Sequence, residues 1–398
     1  MKYKIRKGVS TIVTFIHCAD IHLGRSGANV GYEATEKSFM RICEEAVRRD
    51  VEFIIIAGDV YDQEKRSLKS QWFFSTCMQI LLDANIQAYV VHGNHDPTIG
   101  EDKLVSFPQN VHVFSTEGEG MIHRTSRGEE VALYGFSYPT RAYTENPLPM
   151  YQKTLEADYH IGVLHGQEAT NTDHEPYAPF FVRELVDLRL DYVALGHIHV
   201  RQVLQHDPPI VYSGNVQGTN RKEAGEKGCY AVTLHPGGHE LEFVATHEVL
   251  YQTEHVSIDS MQDVDDIVNL LRKRLDESKP TNLTLQFSGR GALHRFLLEE
   301  SNREELKELL EQEFQIQIEK IMVHTKNVLD FQIESFHDHV ASDIVQARRK
   351  LEHEHALFEA IRRKKLTSIV EPMLEEERAA ILYEAEQLLL QQVLEESE

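Results

Sequence analysis

Basic residues are scarce beside acidic ones: 41 Lys and Arg face 64 Asp and Glu in a chain of 398 residues, a net charge of −23. A chain this acidic is no generic polyanion binder, so contact with nucleic acid must rest on a local basic patch or on bound metal. Cysteine is sparse as well. Cys18, Cys43, Cys77 and Cys229 lie far apart with no paired spacing, which argues against a disulfide framework and for free thiols in a reducing cytoplasm. No apolar run reaches membrane-spanning length, and there is no internal repeat or low-complexity segment. Lys2, Lys4, Arg6 and Lys7 precede only the short apolar stretch from Ile12 to Ile16, with no small-residue cleavage pattern behind it. A secretory signal is therefore not expected.

What is present has an ordinary globular composition, 41% hydrophobic and 26% charged, at a length that suits two or three domains. Strands are expected at Thr11–His17, Phe53–Ala57, Ala88–His92, Val131–Gly135, Tyr159–Leu164 and Tyr192–Leu195. Helical spacing separates them at Thr35–Arg49 and Ser70–Leu82. Strands alternating with helices indicate a layered α/β core. Beyond Gly196, closely spaced strands with turn residues between them suggest hairpins and an antiparallel sheet closing the first domain, residues 1–249. Residues 250–330 alternate strand and helix signals as a small α+β unit, and residues 331–398 carry helical spacing alone. Amphipathic helices appended in this way need a surface to cover them, a partner's or their own chain's.

Five short stretches carry the chemistry: Asp20-Ile21-His22, Gly58-Asp59-Val60-Tyr61-Asp62, Gly93-Asn94-His95-Asp96, His165-Gly166 and Gly196-His197-Ile198-His199. Each follows an apolar strand-like run. Alternate residues of an extended segment share a side, so Asp20 with His22, and His197 with His199, can each meet one ion. Asp59 has two oxygens and is able to bridge two cations, although Gly-Asp alone also marks a simple turn. Asn94 offers a neutral amide oxygen as ligand, so His95 can face the substrate instead of the metal. A lone His such as His165 at a strand end is more often a capping or surface residue. Its place in the ordered series changes that reading. Five such stretches, each ending a β-run, are hard to produce by accident, and carboxylate, imidazole and amide together suit two divalent ions for phosphoester hydrolysis.

At these residues the sequence resembles the calcineurin-like metallophosphoesterase superfamily, all five of whose signature blocks are intact. The likeness is closer to its SbcD-like DNA repair exonucleases, which include the bacterial YhaO group. Ile16-His17-Cys18-Ala19-Asp20-Ile21-His22-Leu23-Gly24 resembles the opening motif of that branch, and Tyr212-Ser213-Gly214-Asn215-Val216-Gln217-Gly218 its segment after His-x-His. The resemblance implies a layered α/β/β/α core, a DNA-capping domain at 250–330 and a helical segment at 331–398 that binds an SbcC-like coiled-coil ATPase. It implies that Asp20, His22, Asp59 and His199 hold one ion and Asp59, Asn94, His165 and His197 a second, customarily manganese. It makes His95 the catalytic acid and Asp62 the residue whose hydrogen bond orients it. The implied activity is exonucleolytic hydrolysis of DNA. A phosphatase or small-molecule phosphodiesterase on the same core is the alternative. Arg25, Lys103, Arg201, Arg221 and Lys222 fall near the motifs and are expected either to line a basic groove or to be ordinary surface charges.

Overall fold

The computed structural model describes residues 12–27, 30–98, 104–170, 176–275, 280–327 and 339–353, with six positions between 382 and 389. Two six-stranded sheets form the core. The first contains β1 (Val13–Cys18), β2 (Phe53–Ala57), β3 (Gln87–Val91), β4 (Val111–Val113), β11 (Gly228–His235) and β12 (Gly238–Ala245), in the order β12-β11-β1-β2-β3-β4. The second contains β5 (Glu119–Arg124), β6 (Glu130–Gly135), β7 (Tyr159–His165), β8 (Tyr192–Gly196), β9 (Gln202–His206) and β10 (Pro209–Tyr212), in the order β5-β6-β7-β8-β10-β9.

The apolar runs dictate the layering. Every residue of β2 is buried because both faces of its sheet are covered. Phe53 and Ile55 point between the sheets and meet Leu133, Ile161 and Val163. Ile54 and Ile56 point the other way, against Phe39 and Ile42 of α1 (Tyr32–Arg48) and Phe74 and Met78 of α2 (Leu68–Asp83). On the outer face of the second sheet, Ala132, Leu164 and Leu195 pack with Leu185 of α3 (Val182–Asp187). The result is the expected α/β/β/α stack. Ser67 caps α2 by accepting from the Ser70 N–H at 3.0 Å.

The hairpins expected beyond Gly196 form, but they do not make a sheet of their own. β11 pairs antiparallel with β1, joining Phe15 to Val232, whereas β10 runs parallel to β8 and carries β9 to the edge of the second sheet. Each hairpin extends a sheet already built. The edge strands β4 and β5 and the short α3 were not anticipated from the sequence.

A third sheet has the order β13 (Leu250–Ser257), β14 (Thr281–Arg290), β15 (Gln317–Lys326). With it come α4 (Val264–Arg274), α5 (His294–Leu298), α6 (Glu300–Phe314) and α7 (His339–His353). The described residues fall into two compact units, one drawn from 12–254, 280–284 and 311–320, the other from 255–275, 285–310 and the residues described beyond 320. The second buries Val256, Ile258, Ile267, Leu271, Phe287 and Leu297. Asp263 caps α4 and Arg272, Lys273 and Arg274 fill its last turn, the charge order a helix dipole favours. In the tail, Phe358, Ile361, Ile381, Gln392 and Val393, which carry helical spacing in the sequence, and Pro372, expected in the first turn of the last helix, lie outside the described residues.

Candidate metal centre

The loops that leave β1, β2, β3, β7 and β8 all start at the strands' C-terminal ends, where open parallel sheets place their ligands. Pairing between the first two continues beyond the strands themselves. Asp20 N–H donates to Gly58 O at 3.0 Å, His22 N–H to Asp59 O at 2.9 Å and Leu23 N–H to Val60 O at 2.8 Å. To turn side chains inward while keeping this ladder, Asp20, His22 and Asp59 take left-handed φ values of 52°, 51° and 51°, and His197 takes 97°. Such backbones cost on the order of 1–3 kcal/mol each and persist where surrounding bonds over-determine them.

These turns bring all seven expected ligands together. His22 Nε2 lies 3.0 Å from His199 Nε2 and 3.7 Å from Asp59 Oδ2, and Asp20 completes a group with the two imidazoles. On the other side of Asp59, His165 Nε2 lies 3.4 Å from Oδ2 and 3.0 Å from Asn94 Oδ1, and His197 Nδ1 is 3.2 Å from the same amide oxygen. The His197 N–H donates to both Asp20 oxygens, at 3.0 and 3.1 Å. Glycine is needed at the crossing point. A Cβ on Gly93 would sit 2.3 Å from Asp59 Oδ1 and 2.6 Å from His165 Nε2.

The donor chemistry fits divalent cations. His165 Nδ1–H donates to Ala57 O at 2.9 Å and His199 Nδ1–H to Glu223 at 2.7 Å, which turns each Nε2 toward the other donors, where a cation can take the place of a proton. Two imidazole nitrogens 3.0 Å apart, with the Asp20 carboxylate in the same group, can converge on one shared cation. The charges already lean this way. Burial opposes ionised Asp59, but His165, His22 and His95 outweigh it and hold the carboxyl well below its usual range. Burial also opposes protonated His165, yet Asp59 and Asp20 push it up to about 9. At His22 burial prevails and lowers the pKa against the pull of Asp62 and Asp59.

His95 stands beside this group, partly exposed, while its neighbours Asn94 and Asp96 are buried. Its N–H donates to Asp59 Oδ1 at 2.9 Å and its ring meets His22 edge-on with centroids 4.7 Å apart. Asp62 does receive His95 Nδ1–H at 2.9 Å, but through its main-chain carbonyl. The Asp62 carboxylate lies instead 3.3 Å from His22 Nδ1, where the chain bends after Tyr61.

Two carboxylates matter that sequence reasoning did not assign. Asp96 is fully buried and accepts from the N–H groups of Gly93 (2.9 Å), Val60 (2.9 Å) and Tyr61 (3.3 Å) and from His92 Nδ1 (3.0 Å), so it ties the Asp59 loop to the Asn94 loop. Glu223 holds His199. Burial works against its charge, but His199 and Arg25 keep it well below the ordinary carboxylate range. Of the residues considered for a basic groove, Arg25 is paired with Glu223 at 3.2 Å and Arg201 sits 3.5 Å over the Phe243 ring. Arg221 and Lys222 are exposed, and Lys103 lies outside the described residues.

Comparison with known proteins bears on the same residues. The family model for calcineurin-like phosphoesterases matches residues 13–201. The chain is 38% identical over 283 residues to YhaO of Bacillus subtilis, a metallophosphoesterase that is itself uncharacterized, covering 66% of this chain and 69% of that protein. It is 25% identical over 240 residues to the DNA double-strand break repair protein Mre11 of Archaeoglobus fulgidus, covering 53% and 51% of the two chains. Against the Methanocaldococcus jannaschii protein of the same name it is 27% identical over 247 residues, covering 57% and 64%. The chain thus spans between about half and two thirds of these archaeal relatives. Family membership implies metal-dependent phosphoester hydrolysis, and the converged carboxylates and imidazoles supply groups to hold the metal. The chain belongs to the calcineurin-like metallophosphoesterases.

Proposed function

We propose that this protein is a dinuclear metal-dependent DNA nuclease, acting as an exonuclease in DNA repair with an SbcC-like coiled-coil ATPase as partner. The observation that carries the reading is the meeting of six donors around Asp59 with His95, partly exposed, at their side. Asp20, His22, Asp59 and His199 hold one ion; Asp59, Asn94, His165 and His197 hold the other, with manganese the preferred metal. Bound there, the cations neutralise an anionic phosphodiester and supply an activated water.

The remaining work falls to the chain. The main-chain carbonyl of Asp62 fixes His95 through Nδ1, so Nε2 is the nitrogen that delivers a proton to the leaving oxygen. Such transfer contributes on the order of 10²–10⁴-fold in rate. Asp96 locks the two loops that present Asp59 and His95, which keeps proton donor and metal ligands in one register.

DNA as substrate is supported by the relatives named for double-strand break repair and by the units that follow the core. We assign residues 1–249 to hydrolysis, 250–330 to capping of DNA and 331–398 to the partner. Within the last, Ile344, Ala347 and Leu351 of α7 line an apolar groove with Leu382, Ala385 and Leu389. Leu388 and Leu389 are 65% and 51% exposed, apolar surface of the sort a partner covers. Four buried free thiols suit a cytoplasmic setting. Among the described residues no helix is long and apolar enough to cross a membrane.

The net charge of −23 favours the second reading, a phosphatase or small-molecule phosphodiesterase. Incubation of end-labelled linear and closed circular DNA with the protein and Mn²⁺ separates the two. Loss of the linear DNA from its ends, with circles spared and His95→Ala inactive, is the expected result. Intact DNA of both forms, beside rapid cleavage of a small phosphodiester, would establish the second reading instead.

A further inference from the structure

A cavity of about 200 Å³ lies between the starts of α1 and α2, with Tyr32 on one side and Tyr61 and Ser67 on the other. Its volume is below the roughly 300–1,000 Å³ of sites for drug-sized ligands and suits a phosphate group. Asp62 joins the cavity to the metal centre. It lines the cavity, its carboxylate lies 3.3 Å from His22 Nδ1, and its main-chain carbonyl receives His95 Nδ1–H.

Two donors of this cavity are unused. Tyr61 is 1% exposed, and its hydroxyl has no hydrogen-bond partner among the described residues. Arg66 Nε is likewise buried and without one. The rest of the Arg66 side chain is fixed: Nη2 donates to the carbonyls of Asp96 and Pro97 at 2.8 and 3.1 Å, and the guanidinium stands 5.1 Å from the centroid of the Tyr61 ring. Buried donors in folded proteins are nearly always paired, so two orphans lining one cavity call for an acceptor from outside the chain. The surrounding charge selects an anion. Ser67, Lys69 and Ser70 bring the positive end of α2 to the cavity, and the first turn of that helix has no acidic residue. Two carboxylates also line it, but both are engaged. Glu36 meets Lys69 Nζ at 3.3 Å, and Asp62 lies beside His22 and 4.0 Å from Arg25 Nε. Lys65 and Arg66 have no acidic partner among the described residues.

We infer that this cavity binds the phosphate that neighbours the scissile one on the substrate strand. The Tyr61 hydroxyl and Arg66 Nε donate to it, and Lys65 adds charge. Tyr32, 48% exposed, offers its ring to the attached nucleoside. Held at two phosphates, the strand presents its scissile ester to His95 in a fixed orientation. The cavity also supplies the local basic patch that a chain of net charge −23 needs to hold a polyanion. The inference rests on the nuclease reading and deepens it, since a small phosphodiester has no second phosphate to place there.

Three thymidine dinucleotides test it, with the full chain and Mn²⁺: one with the internal phosphodiester alone, one with an added 5′-phosphate and one with an added 3′-phosphate. The parent should cleave one of the two phosphorylated forms with a kcat/KM about 10–100-fold above that of the plain form. Tyr61→Phe keeps the ring and should cut this ratio about 10-fold. Lys65→Gln, at an exposed position, should cut it several-fold and weaken its dependence on salt. Circular dichroism melting in chelator shows whether each variant keeps the parent fold, and Lys65→Gln carries the test should Tyr61→Phe not fold. Equal kcat/KM on all three substrates, the same gain from either added phosphate, or variants that slow all three alike would overturn the inference. The nuclease reading is tested separately on end-labelled linear DNA. Intact DNA beside a retained ratio would overturn that reading and leave the phosphate site in place.

Discussion

The Asp59 carboxylate lies 3.4 Å from Nε2 of His165, and both side chains are buried. The same carboxylate reaches His22 on its other side at 3.7 Å and takes the N–H of His95 at 2.9 Å. Among the described residues no other side chain in the centre meets both imidazole groups and the His95 main chain. Asp59→Asn keeps the shape and removes the charge. Metal-dependent hydrolysis of a chromogenic phosphodiester is expected to fall on the order of 10³-fold, the several kcal/mol that charge neutralisation supplies. Initial rates at saturating Mn²⁺ measure this, and a variant of near-parental rate would remove Asp59 from its assigned role.

Gly93 is the point at which the β3 loop passes closest to the donors. Gly93→Ala places a methyl group 2.3 Å from Asp59 Oδ1, so the carboxylate and His165 must move apart. A displacement of about 1 Å at such a site costs roughly 10²-fold in rate. Metal content by atomic emission, measured beside the rate, should fall with it. Parental metal binding and rate together would show that the loop yields without disturbing the ligands.

Asp96 holds the loops through four contacts, three of them to main-chain N–H groups. Asp96→Ala strands these buried donors and should destabilise the protein by roughly 3–5 kcal/mol. Urea unfolding in chelator reads this loss separately from any loss of bound metal. A shift below about 1 kcal/mol would mean that water or a rearranged loop replaces the carboxylate.

His17 lies between the sheets' strands with Nδ1 2.9 Å from the Tyr192 hydroxyl. Burial lowers its pKa from 6.5 to about 3, against a small opposing contribution from the Leu195 main chain. The folded protein therefore holds His17 neutral while the unfolded chain takes up a proton. Its stabilising contribution is complete above pH 6.5 and is lost as pH falls toward 3, by at most about 1.4 kcal/mol per pH unit. His17→Gln cannot titrate. The stability difference between parent and His17→Gln should shrink across that window in urea unfolding series, and a constant difference would contradict the assignment.

Much of this arrangement is legible in the sequence because local signals carry it. The run Phe53–Ala57 is apolar at every position, which marks a strand covered on both faces, and Gly58 and Asp59 directly behind it mark the turn into the centre. Where pairing is distant, legibility ends. The 228–245 hairpin shows its own turn, but nothing local reveals that β11 joins β1, whose residues precede it by more than two hundred positions. β4 has three residues and β5 is half-exposed at a sheet edge, so neither shows an apolar period. Asp62 illustrates a finer gap. Its bond to His95 is implied by the family resemblance, but which of its oxygens does the bonding depends on the bend after Tyr61. Asp96 and Glu223 are single carboxylates in loops, and their roles exist only once distant loops meet.

Stepwise return of Mn²⁺ to the metal-stripped protein, with phosphodiester hydrolysis followed at each addition, bears most directly on the site described. Hydrolysis should remain absent in chelator, rise as metal is added and reach its plateau only at two equivalents per chain, with His95→Ala binding the same two equivalents and turning over on the order of 10²–10⁴-fold more slowly. A plateau at one equivalent, or full activity without added metal, would contradict the account.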